Sequence, residues 1–220
     1  MSKLYVFGIG GTGSRVLKAL TMLLSSGVEC AADTIVPIII DPDDSAADKT
    51  RTVATMNHYM AIREKLDFST AEQNIFFKTE IKPVEGMENF GFPLKNTRDC
   101  FFKDFIKIDE LNSANRALVS LLFSEKNLNS DMKVGFKGNP NIGSVVLNQF
   151  ANSQEYKDFA NEFQQGDRIF IISSIFGGTG ASGFPLLLKT IRSDRDSQSW
   201  NLINQAKIGA ITVLDRKSVV

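Results

Sequence analysis

The sequence predicts an α/β protein built on a doubly wound, mostly parallel sheet, with an inserted helical and irregular segment. Three observations carry this. A short apolar run, Leu4-Tyr5-Val6-Phe7, passes directly into a glycine-rich stretch and then into a helical pattern. The same succession recurs where Arg168-Ile169-Phe170-Ile171-Ile172-Ser173 meets residues 177–183, Gly-Gly-Thr-Gly-Ala-Ser-Gly. Elsewhere, apolar runs of strand length alternate with segments of helical periodicity, which is the pattern of a layered parallel sheet.

Taken in order, the first strand leads into Gly8-Ile9-Gly10-Gly11-Thr12-Gly13. Val16, Leu17, Leu20, Leu23 and Leu24 then recur at helical spacing, and Gly27 is placed to end that helix. Residues 34–40, Thr-Ile-Val-Pro-Ile-Ile-Ile, read as a strand buried on both faces. Pro37 sits awkwardly there, because it removes a ladder donor and favours an edge or a bulge. Asp41, Asp43 and Asp44 follow that strand at once.

Residues 45–131 are read as an insertion packed on the main sheet of one domain spanning 1–220. Within it, residues 46–66 are expected to be helical and Ser69 to cap a short helix. Ser113 is expected to cap a helix with Ala117, Leu118, Leu121 and Leu122 on its apolar face. Gly91, Pro93 and the polar run 127–130 punctuate the segment. Beyond it, residues 138–143, Gly-Asn-Pro-Asn-Ile-Gly, form a loop feeding a helix with Val145, Val146, Leu147 and Phe150. Ser153 opens a further helix with Tyr156, Phe159 and Phe163, ended by Gly166. A helix through Leu186, Leu187 and Ile191 follows residue 183, and residues 207–214 form the last strand.

Composition narrows the function classes. The 220 residues are 43% hydrophobic and 23% charged, which suits a globular chain able to bury a core without disulfides or metals. Lys+Arg and Asp+Glu number 25 each, so nothing indicates a basic nucleic-acid binder. Cys30 and Cys100 lie far apart and lack metal-ligand spacing; they read as reduced, partly buried thiols. His58 is the one histidine and has no second ligand or catalytic partner nearby, so it reads as structural or solvated and no metal site is assigned. Lys3 is followed at once by the first strand rather than by a signal-peptide core, and no apolar stretch is long enough to span a bilayer. A cytoplasmic protein is expected.

The glycine stretches point to phosphate. Glycine lets a backbone turn tightly and lets an anion approach closely, while the amides and dipole at a helix start favour that anion. Gly8, Gly10 and Gly13 also satisfy a dinucleotide fingerprint. Two such stretches, each at the carboxyl end of a strand, would face one crevice. Thr12, Ser14, Thr179 and Ser182 add hydroxyls suited equally to phosphate or to helix capping. Asp41 suits a ribose hydroxyl, a hydrated magnesium ion or an ordinary turn.

Residues 176–183, Phe-Gly-Gly-Thr-Gly-Ala-Ser-Gly, resemble the signature loop of tubulin and FtsZ, GGGTGTG or GGGTGSG. Pro185 falls where FtsZ-like proteins carry a proline. Residues 8–13 resemble the family's first nucleotide loop, Asp41-Pro42-Asp43 its acidic second loop, and residues 138–143 its third, which reads much like ANPEVG. All four occur in the family's order. The resemblance implies a Rossmann-like domain binding GTP or GDP, with Mg2+, through Gly8, Gly10, Gly11, Thr12, Gly13, Asp41, Gly177, Gly178, Thr179, Gly180 and Ser182. Asn139 and Gly143 would lie near the terminal phosphate. It also implies self-association of a full-length form, with GTP hydrolysed between subunits.

The match covers only the amino-terminal part of that family's nucleotide domain. Phe176 replaces a signature glycine, and Ser182 departs from the pattern too. The base-recognition loops, the carboxyl-terminal domain and its acidic catalytic loop have no counterpart in residues 1–220, so no catalytic residue is assigned and a truncated chain is expected. Two alternatives stand beside this reading: a Rossmann-type NAD-dependent or adenylating enzyme, and a scaffold of the same fold that binds no nucleotide.

Overall fold

Three continuous apolar runs set up the sheet and bury side chains on both of its faces. A computed structural model describes residues 2–43, 45–68, 74–92, 94–95, 97, 100–132, 136 and 138–214. Asp44, the expected cap Ser69, Pro93 and residues 215–220 lie outside the described residues. The chain forms β1 (Lys3–Ile9), α1 (Gly10–Ser25), β2 (Thr34–Ile40), α2 (Ala47–Arg63) and β3 (Glu80–Ile81). The short helices α3 (Phe102–Phe105), α4 (Ser113–Leu122) and α5 (Glu125–Leu128) come next. Then follow α6 (Pro140–Leu147), α7 (Gln154–Glu162), β4 (Arg168–Ser174), α8 (Gly178–Ser193), α9 (Trp200–Asn204) and β5 (Lys207–Val213). The sheet order is β3-β2-β1-β4-β5, and every pairing in it is parallel.

Helices cover both faces. Tyr5, Phe7 and Ile9 of β1, Val36, Ile38 and Ile40 of β2, and Ile169 and Ile171 of β4 point to one side. There they meet Val146 of α6, Phe159 of α7 and Leu187 of α8. The alternate residues Val6, Ile35, Ile39 and Ile172 point to the other side and meet Leu17 and Leu24 of α1 and Met56 and Tyr59 of α2. Each such side chain, removed from water, contributes about 1.5–3 kcal/mol. The segment 45–131 therefore begins with elements of the sheet itself: α2 is the crossover from β2, and β3 is the edge strand.

Pro37 is tolerated for a local reason. The carbonyls of Asp33, Ile35 and Ile39 accept from Glu80, Lys82 and Phe92 on the outer side of β2. Odd-numbered positions thus turn their polar groups away from β1. Pro37 shares that orientation and falls past the end of the two-residue β3, so its missing N–H costs the ladder to β1 nothing.

Gly27 ends α1 as expected, at φ +91°. Its N–H donates to the Leu24 carbonyl and that of Val28 to the Leu23 carbonyl, which is a Schellman closure. Ser153 caps α7 by accepting from the Tyr156 N–H at 3.1 Å. Gly166 does not end α7, which stops at Glu162; it turns the chain before β4 at φ +94°.

The expectation for α4 is corrected. Its cap is Asn112, whose Oδ1 accepts from the Asn115 N–H at 2.8 Å, one position before Ser113. No residue of α4 is buried, and Leu121 is 85% exposed. The apolar spacing is present, but the helix lies on the outside of the segment. Only its Val119 packs against the core cluster. Cys30 and Cys100 are free and half-buried, and His58 is exposed on α2. Among the described residues, no helix is long and apolar enough to cross a membrane.

Candidate functional site

The sheet winds outward from β1 through β2 to β3, then from β4 to β5 on the opposite side. Neighbouring connections therefore leave β1 and β4 in opposite directions. A crevice opens past the carboxyl ends of such a strand pair.

Both strands run into glycine-led helices there. Ile9 ends β1 and Gly10 begins α1 with no loop between them; Gly10 takes φ +68°. Beyond β4, Ile175, Phe176 and Gly177 make the turn, and α8 begins at Gly178. Gly177 has φ 94° and ψ 172°, a combination essentially confined to glycine. The expected loops are for the most part first turns of helices. Residues 10–13 belong to α1, 178–183 to α8 and 140–143 to α6. The free donors come from the helix starts themselves, so no longer loop is required.

Neither α1 nor α8 has a side-chain cap or an acidic residue in its first turn. Side-chain caps stand at α4, α5 and α7 (Asn112, Ser124 and Ser153), whereas α2, α3, α6 and α9, like α1 and α8, have none. The first turns of α1 and α8 carry the positive ends of two helix dipoles, and Gly10, Gly178 and Gly180 within them are buried. The two starts touch: a Cβ built on Gly10 would lie 3.5 Å from the Thr179 Cβ and 4.0 Å from the Gly180 nitrogen.

Beside them lies a cavity of about 540 Å3. Thr12 and Arg15 line it from α1, Ser174, Phe176 and Gly177 from the end of β4, and Val213 from the end of β5. Gly10, Gly11, Thr12, Gly177, Gly178, Thr179 and Gly180 are brought together around this end of the sheet. Asn139 joins them, its backbone nitrogen 3.3 Å from where a Gly178 Cβ would stand.

Several glycines do other work. A Cβ on Gly8 would meet the Gly13 backbone at 3.0 Å, and one on Gly180 would meet the Ser174 carbonyl oxygen at 2.5 Å. A Cβ on Gly143 would lie 2.8 Å from the Gly178 carbonyl oxygen, at the contact of α6 with α8. These glycines let helices lie close on strands and on each other. Ser182 is buried and donates its hydroxyl to the Gly178 carbonyl at 2.5 Å, so that hydroxyl is engaged within α8. Asp41 is buried at the end of β2, where its Oδ1 accepts from the Asp43 N–H at 3.0 Å and shapes the turn into α2. It does not line the cavity. The Ser14 hydroxyl is fully buried and has no hydrogen-bond partner among the described residues.

Sequence reasoning missed Arg15 and Asp48. Arg15 donates to the Thr12 hydroxyl at 3.4 Å and pairs with Asp48 at 3.6 Å, while Asp48 also holds Arg51 at 2.8 Å. The Asp48 carboxylate lies 3.6 Å from where a Gly11 Cβ would stand. Both arginines are largely exposed, so these pairs contribute about 0–1 kcal/mol. Their interest is positional: an exposed cation and a carboxylate flank the start of α1. The signal available was Arg15 itself, one helical turn after Thr12. Among the described residues, no group of three His, Cys, Asp or Glu side chains is arranged to hold a metal.

A larger groove, about 690 Å3, lies between α7 and the far end of α8, lined by Tyr156, Lys157, Lys189 and Asp194 among others. It sits at the carboxyl end of α8, where the dipole opposes an anion. Its carboxylate Asp194 is already engaged by the Tyr156 and Ser197 hydroxyls. The glycine-led crevice is therefore the better candidate. No protein-family model matches the chain, and no curated protein sequence matches it.

Proposed function

We propose that this chain is the nucleotide-binding part of a tubulin/FtsZ-like protein, holding the phosphates of GTP or GDP between the starts of α1 and α8. One observation carries the reading: two uncapped, glycine-led helix starts from adjacent parallel strands meet at a switch point, with Gly10 against Thr179. The amides of Gly10, Gly11, Thr12, Gly178, Thr179 and Gly180 suit phosphate oxygens, with the Thr12 hydroxyl and Arg15 guanidinium beside them. A magnesium ion fits this set only through the phosphates and water, because the described residues offer no carboxylate cluster for it. When bound, it neutralises phosphate charge. GTP as the ligand, self-assembly of a longer form and hydrolysis between subunits rest on the resemblance in the four ordered loops.

A second reading, dinucleotide binding, is favoured by the same strand order and by the packing of Gly13 on Gly8, the usual duty of the fingerprint's third glycine. Calorimetry with GTP, ATP and NAD, each with magnesium, separates the readings. GTP binding supports the first. Binding of NAD or ATP alone replaces it with the second. No binding of any of the three leaves a scaffold.

A further inference from the structure

Phosphate binding leaves the apolar wall of the crevice unexplained. Phe176 lines the cavity and is 52% exposed, with Val16, Val213 and Leu214 around the same space. Its position is built in. The Phe176 N–H donates to the Ser174 hydroxyl at 3.1 Å, which pins the backbone just past the strand. Gly177 then takes its glycine-only conformation with nothing within 4 Å of its Cβ direction, and α8 starts at the next residue. The Phe176 backbone thus stands two residues from the first amide of α8, at most about 7 Å along the chain. An inorganic phosphate gains nothing from an aromatic face at that distance. A planar heteroaromatic ring does, and stacking of this kind tolerates any base because every base has a π-face.

We propose that Phe176 is a stacking platform for the base of the ligand whose phosphates lie on α1 and α8, and that this ring, not the phosphate contacts, selects nucleotides over other polyphosphates. The proposal rests on the phosphate-binding reading above.

The test is calorimetry of the wild type, Phe176→Ala and Phe176→Trp against GTP and against inorganic tripolyphosphate, with magnesium present. Phe176→Ala is expected to weaken GTP about tenfold while tripolyphosphate stays within about twofold, and Phe176→Trp to restore GTP affinity. Equal losses for both ligands, or no loss for either, overturn the stacking role and leave the phosphate reading standing. Failure of the wild type to bind either ligand removes both. If Phe176→Ala shifts the melting temperature, Phe176→Trp decides, because it keeps an aromatic face at an exposed position. Unchanged GTP affinity in Phe176→Ala with loss of self-association assigns the ring to a protein contact and also overturns the proposal.

Discussion

Gly13 of α1 lies directly on Gly8 of β1. A Cβ built on Gly13 would stand 2.6 Å from the Gly8 Cα and 3.1 Å from the Ile172 carbonyl oxygen, and none of these backbone atoms can swing aside. Gly13→Ala is therefore expected to cost about 2–3 kcal/mol, lowering the melting temperature by about 5–10 °C. Gly11→Ala differs, since the nearest atom is the Asp48 carboxylate at 3.6 Å and the position is helical. It should be neutral or stabilising by up to about 1 kcal/mol while obstructing the approach to the α1 amides. Thermal unfolding followed by circular dichroism, paired with GTP titration, checks both. Equal melting temperatures for the two variants would refute the packing argument.

The hydroxyls can be probed without disturbing the fold. Thr12 and Thr179 are half-buried at the two helix starts. Thr12→Val and Thr179→Val each remove a hydroxyl at constant shape, and each is expected to weaken GTP by about threefold to tenfold with little change in melting temperature. Gly180→Ala is the wrong probe, because its Cβ would press into the Ser174 carbonyl at 2.5 Å and cost stability first. A titration in which neither valine variant changes affinity would remove these hydroxyls from the site.

Much of this architecture was legible in the residues. The β1–α1 and β4–α8 junctions were readable because a continuous apolar run of strand formers leads into glycine and helical periodicity then follows. What the sequence could not separate were the two uses of glycine. Gly8, Gly13, Gly143 and Gly180 serve close packing, whereas Gly10 and Gly177 take positive φ at the crevice. Both uses require only that a Cβ be absent. The outward position of α4 was hidden for a similar reason: Leu118, Leu121 and Leu122 have amphipathic spacing, and spacing does not say whether a partner is there. The pairing of Arg15 with Asp48 joins α1 to α2 across the chain, and no local pattern encodes it.

Tyr59 provides an alkaline test of the α2 side of the core. Burial pushes its phenol up to about 12, the Arg63 charge opposing this, and its hydroxyl donates to the Thr79 carbonyl at 2.7 Å. The neutral form is the folded form, so its contribution is complete below the ordinary value of 10.0 and is lost as pH rises from there to about 12. Tyr59→Phe should cost about 1 kcal/mol at neutral pH and shrink that alkaline loss. Tyr5 and Tyr156, also pushed up by burial, remain in the variant, so the difference isolates Tyr59. Identical alkaline melting curves for the two proteins would contradict this.

Asp194 sets the acid limit at the far end of α8. Burial works against its ionisation. The Ser197 hydroxyl at 2.7 Å, the Ser197 and Asp196 amides at 3.1 and 3.0 Å and the Tyr156 hydroxyl at 3.1 Å outweigh it. The carboxyl is held below its ordinary value of 3.8. Its contribution is therefore present above about pH 4 and is lost as pH falls below that through the depressed value. Asp194→Asn keeps the size but loses the charge and turns an acceptor into a donor facing these groups, so about 1–3 kcal/mol should disappear at neutral pH. Below about pH 4 the wild type loses the same charge, so the gap in melting temperature between the two proteins should close. Melting curves taken between about pH 7 and pH 3 decide it: a gap that stays constant across the series would mean that the Asp194 turn is held by shape and not by charge.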